Sequence, residues 1–101
     1  MPTNIEVREA LINCFVEAHK EFMKKGAEAT GKPVSEEEIR KNTKILVKQA
    51  FNRVNADYDH PTKEDIMKVM GVLQEKAKAA GRDMSIIQKH ARQMMELVNQ
   101  L

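Results

Sequence analysis

Apolar residues recur three and four positions apart through four stretches of this 101-residue chain, and no stretch alternates with a period of two. A spacing near 3.6 places such residues on one face of a helix, whereas a half-buried strand needs alternation, so the expected class is all-α. Three gaps carrying Gly or Pro separate the stretches: residues 26–34, 55–61 and 80–82. Gly26 and Gly81 suit the left-handed conformation that closes a helix, and Lys24 and Lys25 suit the negative end of its dipole. Ser35 opens a Ser-Glu-Glu-Glu38 run in which the hydroxyl and the last carboxylate satisfy each other's backbone amides. Thr62 with Glu64 and Asp65 repeats that pattern less fully. Pro33 and Pro61 stand just before these caps, where a missing amide donor does no harm. The spacing predicts helices over about 4–25, 36–56, 63–80 and 83–100.

A chain of this length buries roughly two-thirds of its extended surface, so one domain over residues 1–101 forms without metal or disulfide staples. Short connections between four comparable helices favour an up-down four-helix bundle. The first linker is the longest, which would let helix one pack or swap across a dimer. Its apolar residues, from Leu11 to Met23, span roughly 200° of the helix, and those of helix four, from Met84 to Leu101, about half the circumference. A lone bundle needs one buried face per helix, so this width, with Ile45 and Val72 lying off their stripes, points to a homo-oligomer or a protein partner. The expected contact residues are Ile12, Val16, His19 and Met23 on helix one and Ile86, Met94 and Leu97 on helix four. Methionines 67, 70, 84, 94 and 95 are read either as gap-filling core or as a reshapeable groove for a partner helix.

Chemistry is less legible than packing. His19 falls within helix one's apolar arc, on the same line as Arg8, and asks for a carboxylate or carbonyl from a neighbouring helix. His90 lies at the edge of helix four's face with no acid at adjacent helical positions. Neither helix carries the Glu-x-x-His of di-metal bundles. The Asp57-Tyr58-Asp59-His60 loop gathers possible metal ligands, but in a calcium-loop register from Asn55 the turn glycine is His60 and the closing glutamate is Ile66. Zinc would need further nitrogen or sulfur ligands. Ser35 and Ser85 have no histidine spaced to activate them, and no Gly-rich phosphate loop is present. Cys14, the only cysteine, reads as a small buried hydrophobe and excludes an intramolecular disulfide.

Net charge is +2, yet residues 39–56 contain no acid and hold Arg40, Lys41, Lys44, Lys48 and Arg53. Lys41, Lys44 and Lys48 form an outer stripe on helix two, able to neutralise phosphates of a nucleic acid or simply to face solvent. No apolar run approaches the roughly 20 residues of a membrane span, and the opening Met1–Glu6 has no basic start before an apolar stretch, so a cytoplasmic location is expected. The functional expectation is a small non-catalytic helical protein, without metal or cofactor, acting through self-association or protein contacts. Non-specific nucleic-acid binding through the basic stripe is the alternative. A metal or enzyme site at His19, His90 or the Asp57–His60 loop stands behind both.

Overall fold

In a computed structural model the described residues are 2–30 and 35–101, with side chains described for all of these except 25–30. They form four helices and no strand: α1 (Asn4–Thr30), α2 (Glu36–Arg53), α3 (Lys63–Ala79) and α4 (Met84–Val98). Among the described residues no helix is long and apolar enough to cross a membrane. At 1.5 Å per residue the 27 residues of α1 extend about 40 Å, which matches the 41 Å long axis of the molecule.

Local chemistry accounts for most boundaries. At α1, Thr3 Oγ1 accepts from Glu6 N (3.1 Å) while Glu6 Oε1 accepts from Thr3 N (3.3 Å). This Thr-x-x-Glu box is plain in the sequence, though it was not among the expected caps. At α2, Ser35 Oγ accepts from Glu38 N (3.4 Å). The pattern expected to be less complete, at α3, is reciprocal: Thr62 Oγ1 accepts from Asp65 N and Asp65 Oδ2 accepts from Thr62 N, both at 3.1 Å. Asp suffices because its shorter carboxylate still reaches the cap amide. Asp83 caps α4, accepting from Ser85 N at 3.0 Å and from Ser85 Oγ at 2.6 Å.

Gly81 ends α3 as expected, with φ of 73° and the Arg82 amide bonded back to Ala77 O at 3.0 Å. Asn55 does the same for α2 at φ 60°, with Ala56 N on Phe51 O at 2.9 Å, so that helix closes at Arg53 rather than near 56. Gly26 does not end α1, which continues to Thr30. A glycine inside a helix costs only about 1 kcal/mol relative to alanine, and Ala27, Glu28 and Ala29 beyond it are good helix formers. Lys24 therefore lies inside the helix rather than at its end. The rest of that linker, with Pro33, falls outside the described residues.

α1 packs against α2, α3 and α4, while α2 and α4 meet α3 on its two flanks. Contact with all three partners explains the wide apolar arc of α1: Leu11, Ile12, Phe15, Val16, Ala18 and Phe22 are all buried within the chain. Phe51 is fully buried and meets Tyr58 edge-on, with centroids 5.4 Å apart at 81°. Ile45 stays at the surface as its position off the stripe implies, and Val72 packs partly against the core. Met67, read from the sequence as core or groove, is 43% exposed. Met67 sits about 100° around the helix from the fully buried Ile66, off the buried stripe of Ile66, Val69, Met70 and Leu73. Met70 and Met94 are core, Met84 and Met95 half-buried, so the methionines are spread through the packing and do not line one groove.

Candidate functional site

The most built polar feature lies where the four helices converge near the α3–α4 turn. A cavity of about 190 Å³ is bounded by Phe15 and His19 of α1, Thr43 and Leu46 of α2, Leu73, Lys76 and Ala77 of α3, and Arg82 and Ile87 around the turn into α4. His19 Nδ1 lies 2.8 Å from Thr43 Oγ1. The partner that the imidazole needed is thus a hydroxyl, not the expected carboxylate or carbonyl. Thr43 is only 1% exposed, and its hydroxyl has no other acceptor among the described residues. Donation to Nδ1 is what satisfies the hydroxyl hydrogen, which leaves the imidazole proton on Nε2. Burial, followed by the nearby Arg82 guanidinium, pushes the His19 pKa below its ordinary value and favours this neutral form. Arg82 is itself held over the Phe22 ring, 5.3 Å from its centroid.

Arg8, on the same helical line as His19, is not brought to it. Its guanidinium donates to Tyr58 O (2.6 Å), pairs with Glu9 (2.7 Å) and sits 4.1 Å over the Tyr58 ring. Lys48, from the basic stripe, approaches the same ring at 5.2 Å. The Tyr58 hydroxyl is buried without a hydrogen-bond partner among the described residues, and burial raises its pKa. These contacts dock the α2–α3 loop onto α1, assisted by Asn4 Nδ2, which donates to Pro61 O at 2.8 Å.

In the Asp57–His60 loop the candidate ligands are engaged with one another. Asp57 Oδ1 accepts from Asp59 N (2.9 Å) and Asp57 Oδ2 lies 3.1 Å from His60 Nδ1. The backbone bond from Asp59, then the His60 contact, lowers the Asp57 pKa. This is an Asx turn that shapes the step before Pro61. Among the described residues no three metal-ligating side chains gather.

His90, 9% exposed, finds its acid across the α1–α4 interface, where Nε2 is 3.2 Å from Glu21 Oε1; Lys89 reaches the same oxygen at 2.9 Å. Helical spacing could not show this acid because it belongs to another helix. Next to it, Cys14 Sγ donates to His90 O at 3.3 Å, and burial pushes the thiol from its ordinary 9.0 to about 11. At pH 7 that leaves about one thiolate in 10⁴, a hundredfold fewer than at the ordinary value. A thiolate of higher pKa is also the stronger nucleophile, which offsets part of this, so iodoacetamide is expected to alkylate the native protein at least about tenfold more slowly than the urea-unfolded chain; equal rates would show the thiol to be open.

Lys41, Lys44 and Lys48 are all exposed on α2, and Lys41 and Lys44 form no ion pair among the described residues. Glu36 pairs with Lys20 of α1 at 3.4 Å, and Arg40 donates to Asn13 at 2.7 Å. Of the expected contact residues, Ile12, Val16, Ile86 and Met94 are buried in the chain's own core, Met94 at the floor of a groove between α1 and α4. His19 and Leu97 are half-buried and Met23 is exposed. Leu97 opens on a shallow groove of about 280 Å³ between α1 and α4, whose apolar wall is Ala10, Cys14, Met94 and Leu97. No known protein family, characterised protein or solved structure matches this chain.

Proposed function

We propose that the protein is a non-catalytic helical module that acts by self-association, or by contact with another protein, through its α1–α4 face. The observation that supports this reading is the open groove with half-buried Leu97 at its lip, an apolar strip between two helices suited to the side chains of a third. In this reading the helices run up and down, and a second copy of the chain either seats on the groove or exchanges its helix one. The working compartment is the cytoplasm, where the protonated, unpaired Cys14 is at home.

Light scattering decides between one chain and more. Leu97→Glu places a charge in the groove without entering the fully buried core, so it is expected to reduce a multimer to the mass of one chain while circular dichroism stays helical. Val16→Glu does not serve, because Val16 is fully buried and a charge there unfolds the monomer. A single-chain mass for the unmutated protein at high concentration overturns self-association.

A second reading, non-specific nucleic-acid binding, is favoured by the exposure of Lys41, Lys44 and Lys48 along the acid-free part of α2 that follows Glu38. Its mark is a gel shift at low salt that disappears as salt rises. No retardation at low salt removes it.

A further inference from the structure

We propose that the cavity beside His19 binds a small apolar monocarboxylate, with its hydrocarbon body among the four helices and its carboxylate at the mouth, held by Arg82, Lys76 and the His19 Nε2–H. This site is separate from the α1–α4 groove and does not depend on it.

Size, polarity and charge all bear on the assignment. The volume, about 190 Å³, exceeds the roughly 150 Å³ known to admit benzene and leaves room for one further polar group. Phe15, Leu73 and Ile87 at its walls are buried, whereas Lys76 is half-buried and Arg82 exposed, so the cations mark the solvent side. No acid is among the described lining residues, and neither cation forms an ion pair among the described residues. Two cations with no ion pair among the described residues, beside an apolar hollow, favour an anion with a greasy body over a hydrated inorganic one. The Thr43 bond supports this preference in one further respect: with the hydroxyl donating to Nδ1, the neutral imidazole carries its hydrogen on Nε2, a nitrogen that has no partner among the described residues. Lys76 from α3 and Arg82 from the α3–α4 turn are the charged groups lining the cavity beside His19, so a bound carboxylate would offset the cationic field and raise the imidazole pKa.

Benzoate is a suitable probe, and its modest size sets a dissociation constant in the millimolar range. The full chain, labelled with nitrogen-15, is titrated with benzoate, benzyl alcohol and inorganic phosphate at constant ionic strength. Saturable shifts are expected at Thr43, Leu73 and Ala77 with benzoate, together with a raised His19 pKa. Benzyl alcohol and phosphate are expected to bind at least about tenfold more weakly, the scale of one lost charge-assisted contact. Arg82→Gln, at an exposed position, should weaken benzoate about tenfold and leave benzyl alcohol unchanged. Ala77→Phe should fill the cavity and abolish both; if it disturbs the fold by circular dichroism, Arg82→Gln alone is decisive. Absent or non-saturating shifts with benzoate overturn the site. Equal binding of benzyl alcohol with no effect of Arg82→Gln overturns the carboxylate assignment, and equal binding of phosphate overturns the apolar one.

Discussion

Phe51→Ala is expected to lower the unfolding free energy by about 3–5 kcal/mol, the usual cost of truncating a buried aromatic. Phe51 has no exposed surface and packs edge-on against Tyr58, so truncation removes both the transfer term of the ring and an aromatic pair. The cavity it leaves lies between α2 and the loop that follows, where Asn55 and the capping of α3 already hold the backbone and limit collapse. Domains of this size have about 5–15 kcal/mol in total, so the variant is expected to lose a large part of its stability, with the melting temperature falling by on the order of 20 °C. Urea unfolding followed by circular dichroism measures it. A loss below about 1 kcal/mol would mean that the α2–α3 junction is not packed around this ring.

The second large effect is expected at a charged residue that lies on the apolar face of α1 and finds its partners in a distant loop. Arg8 is 9% exposed, donates to the Tyr58 carbonyl at 2.6 Å and covers the Tyr58 ring at 4.1 Å. A hydrogen bond from a charged donor contributes about 1.5–3 kcal/mol, and a partly desolvated cation over a ring about 1 kcal/mol more; the two overlap, so Arg8→Ala should cost about 2–4 kcal/mol. Arg8→Lys keeps the charge but loses the planar fork that bonds Tyr58 O and Glu9 together, and its cost should be intermediate. Hydrogen exchange separates docking from general packing. Amides of residues 55–61 should exchange faster in Arg8→Ala than the drop in global stability alone accounts for. Uniform acceleration over all four helices would show that Arg8 stabilises the core at large rather than the loop.

How far each feature could be read depended on the distance along the chain over which its cause acts. Gly81, Thr62 and Asp65 act on backbone within a few residues, and the sequence placed the end of α3 and the start of α3 correctly from them. Thr3 and Glu6 formed an equally local box whose signal was present. Gly26 misled because a glycine only weakens a helix, and the alanines and glutamate after it were enough to carry α1 onward. The width of the α1 arc was also read correctly as a pattern, but a stripe does not say whether its extra breadth meets a second molecule or a third helix of the same one. Here α1 meets all three other helices, which withdraws Ile12 and Val16 from any surface.

The candidate sites were legible as residues and not as constellations. His19, His90, Arg8 and Cys14 each stood out as polar or reactive groups on an apolar face. Their partners, Thr43, Glu21, Tyr58 and the carbonyl of His90, lie 24, 69, 50 and 76 positions away. Thr43 gave no signal of its own, since a threonine on a helix flank is equally suited to solvent.

By itself the sequence determined that this protein is helical, where its four helices start and where α3 stops, and most of the faces that turn inward, because capping and amphipathic periodicity are written in contacts of three to five residues. Only the tertiary structure decided which polar groups meet, which apolar residues remain at the surface, and that His19, Lys76 and Arg82 share one hollow. Those outcomes depend on the rotation and approach of whole helices against one another, which packing sets across the domain and no local spacing encodes.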